Sequence, residues 1–175
     1  MTHLEQKILN CYTKAMKGIL QAIRNDYDSS THSFRYAGEA MMKALIYKQY
    51  GESDGHKIIK GMLDSGRQPT GTVRNLSYFE LLNIVKSLTL VSRDITDILE
   101  KVSLLANSHG SHDPNGRALS ETEKEENLEQ AIGYCEKITD AMYAAVGKTK
   151  PAELTKAYRE RIVDESLMNR LNSED

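Results

Sequence analysis

The chain has 175 residues, which suits one domain or one domain with a helical extension and lets it bury about 70% of its unfolded surface without a metal or disulfide. Apolar residues make up 39% and charged residues 27%, a globular mixture that excludes a disordered chain. The net charge of −2 is uneven: residues 1–76 hold 11 Lys and Arg against 7 Asp and Glu, while residues 77–175 hold 12 against 18. Neither half is basic enough to announce nucleic-acid binding by charge alone, but the asymmetry permits an electrostatic contact between halves, within one chain or between copies.

The apolar positions recur with helical period and strand alternation is absent, so an all-α bundle of about six to seven helices is expected. Leu4, Ile8, Cys11, Tyr12, Ala15, Ile19 and Ile23 form one stripe, with Lys7, Lys14, Lys17 and Arg24 on the other side, predicting a long first helix that ends before Asn25. A second helix is predicted from near Ser30-Thr31 to Tyr50, capped by Gly51, with Phe34, Ala37, Met41, Ala44, Leu45 and Tyr47 facing inward. A short helix over about 55–65 follows, then a loop over 66–75 marked by two glycines and a proline. Ser77-Tyr-Phe-Glu80 reads as a capping box that starts a helix to about Leu90. The next helix starts near Ser92-Arg-Asp94, carries Ile95, Ile98, Leu99, Val102 and Leu105, and gives way to a polar segment at Asn107. Ser120-Glu-Thr-Glu123 is a second capping box, and the helix behind it carries Leu128, Ala131, Ile132, Cys135, Ile138 and Met142. Pro151 starts a last helix, whose Leu154, Ala157, Tyr158, Ile162, Leu167 and Leu171 are expected to pack on the bundle, a second copy or a partner. The expected organisation is thus a helical bundle over 1–147 and a C-terminal helix over 148–175.

Cys11 and Cys135 fall on apolar faces and read as reduced core thiols. No apolar run approaches the 18 residues of a membrane span, and the first residues lack the apolar centre of a signal peptide, so a cytoplasmic location is expected. No phosphate-binding glycine loop, zinc-type cysteine spacing, His-Glu-x-x-His or nucleophile elbow is present. His3, His32 and His56 are isolated and expected in solvent.

The segment that could carry chemistry is Leu104-Leu-Ala-Asn-Ser-His-Gly-Ser-His-Asp-Pro-Asn-Gly116, where an apolar helix runs directly into two histidines, an aspartate and an asparagine. Its plain reading is a helix C-terminus, with Asn107 or Gly110 as left-handed cap and His109 near the negative end of the helix dipole. His109, His112 and Asp113 are also metal-ligand types, but spacings of three and one do not define a tetrahedral site. Arg35 and Glu39, one turn apart on the second helix, read as a surface ion pair or as an anchor for the Asn107–Asp113 loop.

An apolar helix ending in a close variant of Asn-x-x-Gly-x-x-His resembles the HEPN superfamily, closest to the HEPN-like domains of abortive-infection and other phage-defence proteins. Phe34-Arg-Tyr-Ala-Gly-Glu-Ala-Met-Met-Lys-Ala-Leu45 and Ile58-Ile-Lys-Gly-Met-Leu63 are similar to the earlier helices of such domains, and the resemblance spans about 30–146. It implies a dimer in which two facing sites cleave RNA without metal, each built on an arginine, a polar residue and a histidine. Asn107 matches the polar position and His112 the histidine, while Ala106 stands in place of the arginine.

That departure matters chemically. In-line attack by a 2′-hydroxyl needs a proton acceptor and donor, which an imidazole supplies, and a cation on the phosphate oxygens, which a guanidinium supplies through two parallel hydrogen bonds. Losing such a donor costs about 100- to 1000-fold in rate. Three readings therefore stand: a catalytically lapsed HEPN-like module that dimerises or binds a partner, in a prokaryotic defence or toxin–antitoxin setting; a metal-independent ribonuclease using His112 and Asn107 with Arg93 or Arg117 as substitute arginine; and a plain helical adaptor. The resemblance implies a homodimer and RNA without metal, the apolar residues of the C-terminal helix allow a protein partner there, and no cofactor is expected.

Overall fold

The computed structural model describes residues 1–51, 73, 76–106 and 115–173, with the backbone alone for 171–173. The expected helix over 55–65, most of the loop over 66–75, His56 and the side chain of Leu171 lie outside them. The described residues form an all-α bundle of seven helices without a strand: α1 (His3–Ile23), α2 (Tyr27–Tyr50), α3 (Tyr78–Ser87), α4 (Arg93–Leu105), α5 (Glu121–Val146), α6 (Ala152–Glu160) and α7 (Glu165–Ser173). None of them is long and apolar enough to cross a membrane.

Helix starts follow local hydrogen-bond chemistry. Thr2 and Glu5 form a capping box on α1, as Ser77 and Glu80 do on α3 and Ser120 and Glu123 on α5, each pair satisfying backbone N–H groups that the first turn leaves open. The second helix begins at Tyr27, a turn earlier than its apolar pattern suggests, because the Asp26 carboxylate accepts from the Ser29 N–H and serves as the cap. It ends at Gly51, whose N–H bonds to the Tyr47 carbonyl at 2.7 Å with φ at 80°. The third ends at Ser87 instead of near Leu90, since Thr89 turns into the left-handed region (φ 51°) to lead into α4.

The bundle is organised around α2, where 15 of 24 residues are buried and hydroxyl-bearing residues share the interior with apolar ones. It packs along α1 and also against α3, α4 and α5. The predicted inner face, Phe34, Ala37, Met41, Ala44, Leu45 and Tyr47, is buried throughout. Phe34 fills the space that Gly18 leaves on α1: a Cβ there would lie 2.5 Å from the phenyl ring. The Ser30 hydroxyl donates to the Gly18 carbonyl at 2.7 Å across the same crossing.

The single last helix expected from Pro151 is two. Arg161 takes a left-handed backbone (φ 58°) and ends α6, with its guanidinium 2.7 Å from the Glu129 carboxylate on α5. Asp164 then accepts from the Ser166 hydroxyl and from the N–H groups of Leu167 and Ser166 and starts α7, and those bonds, the hydroxyl's first, hold its carboxyl below the usual range. Leu154, Ala157, Tyr158 and Met168 are buried against the rest of the bundle, while Ile162 at the break is exposed. Cys11 and Cys135 are buried free thiols, and the Tyr158 hydroxyl lies 3.0 Å from the Cys135 carbonyl and 3.3 Å from its sulfur.

Candidate functional site

The candidate site starts from three ionisable residues spaced by four on α2, namely Arg35, Glu39 and Lys43. The helical spacing allows Glu39 either neighbour. It takes Lys43, at 2.9 Å, with the lysine side chain only 10% exposed. Burial decides this choice, because an ammonium removed from water needs a carboxylate more than a partly exposed guanidinium with other partners does. The Arg35–Glu39 ion pair expected from the sequence is therefore replaced by Glu39–Lys43.

Arg35 turns the other way, toward α3 and α4. Its Nε donates to the Ser103 hydroxyl at 3.4 Å, a long bond, and its guanidinium carbon stands 5.0 Å from the centre of the Tyr78 ring. Tyr78 is held by its own hydroxyl, which donates to the Leu99 carbonyl at 2.5 Å. The helices approach closely enough here that a Cβ at Gly38 would lie 2.9 Å from that hydroxyl and 3.1 Å from Leu99. Burial pushes the Tyr78 phenol well above its usual range, and the Arg35 charge pulls in the opposite direction.

Ser103 belongs to the last turn of α4, which ends at Ala106 as its C-cap. The carbonyl groups of that turn carry partial negative charge, so a guanidinium beside it is stabilised. Ala106 itself is 4% exposed, with its N–H bonded to the Val102 carbonyl. Asn107, His109, His112 and Asp113, the residues singled out in the polar segment, lie outside the described residues.

The two arginines considered as substitutes are positioned by separate tasks. Arg93 opens α4, and twelve residues at 1.5 Å rise put it about 18 Å along the helix axis from Leu105. One terminal nitrogen of Arg117 donates to both Glu123 carboxylate oxygens, at 2.9 and 3.2 Å, bracing the capping box that starts α5. Two histidines expected in water have neighbours instead: the His3 ring packs 5.5 Å from that of Tyr47, and His32 Nδ1 lies 2.7 Å from the Asp28 carbonyl. Among the described residues no group of three or more His, Cys, Asp or Glu is placed to hold a metal ion.

Tyr78, Ser103 and Gly38 were not singled out by the sequence. The available signal was Ser103, a hydroxyl beside Val102 and one turn on from Leu99 in an apolar helix, buried at 5% exposure. No family model, no curated protein and no solved structure matches this chain.

Proposed function

We propose that this chain is a HEPN-like helical interaction module, catalytically lapsed, which pairs with a second copy or holds a protein partner in a prokaryotic defence or toxin–antitoxin setting. The observation that carries the reading is the nature of position 106. The arginine of the active motif would stand there, and the residue is an alanine, 4% exposed and turned into the bundle. Phosphoryl chemistry at the following segment would lack its cation from that position, and Arg117 is already engaged by Glu123. The defence setting comes from the resemblance of the helices and the Asn107-to-His112 motif.

Incubation of the purified protein with mixed single-stranded RNA in chelator should leave the RNA intact, and light scattering at high micromolar concentration should give a dimer. Fragments that disappear in His112→Ala overturn the lapsed reading, and a strict monomer overturns the pairing.

One observation favours the ribonuclease as a second reading. Arg35 reaches the final turn of α4 from a neighbouring helix, beside the point where the Asn107–Asp113 segment begins. If it stood in for the missing motif arginine, cleavage would be lost in both His112→Ala and Arg35→Ala.

A further inference from the structure

A groove of about 560 Å³ lies between α3 and α4, a volume within the range that holds small ligands. Lys86 of α3 stands on one side, Arg93, Asp97 and Glu100 of α4 on the other, with Thr89 and Val91 on the turn that joins the two helices. Residues four and seven positions apart share one helix face, so Arg93, Asp97 and Glu100 form a single row along the groove. Val91, partly buried against the core, gives the groove an apolar wall.

The charges of this row are not used alike. Glu100 is answered across the groove by the Lys86 ammonium at 3.5 Å, which ties α3 to α4. The side chains of Arg93 and Asp97 make no hydrogen bond or ion pair among the described residues, with each other or with a neighbour. A cation that precedes an anion by four residues is in the weaker of the two helical pairing orders, and both heads stay open to the groove. Four residues at 1.5 Å rise set the two positions about 6 Å apart along the axis. An α-amino acid carries its ammonium and carboxylate on one carbon and does not span that interval. A dipeptide, extended at about 3.3 Å per residue, does.

We propose that the α3–α4 groove binds a small extended zwitterion, with its carboxylate on Arg93, its ammonium on Asp97 and its aliphatic part against Val91. A dipeptide and an ω-amino acid both present this chemistry, and comparing the two separates the sources. The site is independent of the function proposed above, since Arg93 opens α4 at the end opposite to the Asn107–Asp113 segment.

The test is an NMR titration of the isotope-labelled full chain at low salt, with leucylglycine and 6-aminohexanoate as probes. Leucylglycine should shift the amide signals of residues 89–100 saturably. Blocking its amine by acetylation or its carboxylate by amidation should each weaken binding about fivefold, the scale of an exposed ion pair. Arg93→Ala should cost the free dipeptide about fivefold and the amidated one almost nothing, the coupling that a direct contact produces. Asp97→Asn should do the same for the free and the acetylated forms. Both side chains are exposed, so the variants keep the fold, and Lys156→Ala on α6 should leave affinity unchanged. Tighter binding of leucylglycine assigns the site to a peptide, and tighter binding of 6-aminohexanoate assigns it to an ω-amino acid. Absence of saturable shifts with both probes overturns the proposal. An equal loss of the free and amidated dipeptides in Arg93→Ala also overturns it, as does free leucine binding as tightly as leucylglycine.

Discussion

The two sides of α2 solve the same packing problem with different materials. Toward α1 the contact is apolar and interlocked, with the Phe34 ring filling the place of a missing Cβ at Gly18. Toward α3 and α4 a close approach at Gly38, 2.9 Å against 2.5 Å at Gly18, is made by a tyrosine hydroxyl, and a guanidinium lies over that tyrosine's ring. The first contact is chiefly a matter of shape, with one hydrogen bond from the Ser30 hydroxyl to the Gly18 carbonyl beside it. The second must also satisfy hydrogen bonds and a charge, so its side-chain positions are interdependent, and it lies beside the exit of α4. Close packing builds the frame on one side and places a cation on the other.

The difference can be broken most strongly at Phe34. Phe34→Ala should destabilise the fold by about 3–5 kcal/mol in denaturant unfolding, because the cavity opens in the interlocked contact. Gly38→Ala should cost less, about 1–3 kcal/mol, since the new methyl displaces the Tyr78 hydroxyl and Leu99. An equal loss from both variants would show that the polar contact is as rigid as the apolar one. Alkaline pH sharpens the comparison further. Burial pushes the Cys135 thiol from 9.0 up to about 12, and the Cys11 thiol also lies well above 9.0. Above pH 9 the unfolded chain releases these protons while the folded chain keeps them, for Cys135 up to about 12, so stability is full below pH 9 and falls as pH rises. The slope is about 1.4 kcal/mol per pH unit for each thiol, and thermal melting of Cys135→Ala should show a shallower decline over this window.

Much of the frame was legible before any coordinates. Capping boxes at Ser77 and Ser120 announced where α3 and α5 begin, because a hydroxyl and a carboxylate three residues apart act within a single turn. The apolar stripe of α5 was legible for a similar reason, since its spacing is set by the helix alone. The early start of α2 was available in Asp26 but masked by the polar run behind it, whose serines and threonine are buried against neighbouring helices. The break at Arg161 had no local signal, having neither glycine nor proline, and its guanidinium is paired with Glu129, 32 residues away.

The candidate site divides in the same way. Spacing alone set Arg35, Glu39 and Lys43 within reach of one another, whereas Ala106 drew notice only through the family resemblance. Which neighbour Glu39 would take, and that Arg35 would turn to Ser103 and Tyr78, depended on which face of α2 lost its water. Helix formation and capping are decided over a few residues, so the sequence determines them directly. Desolvation of a charge is decided by elements distant in the chain, and only the assembled bundle brings those together.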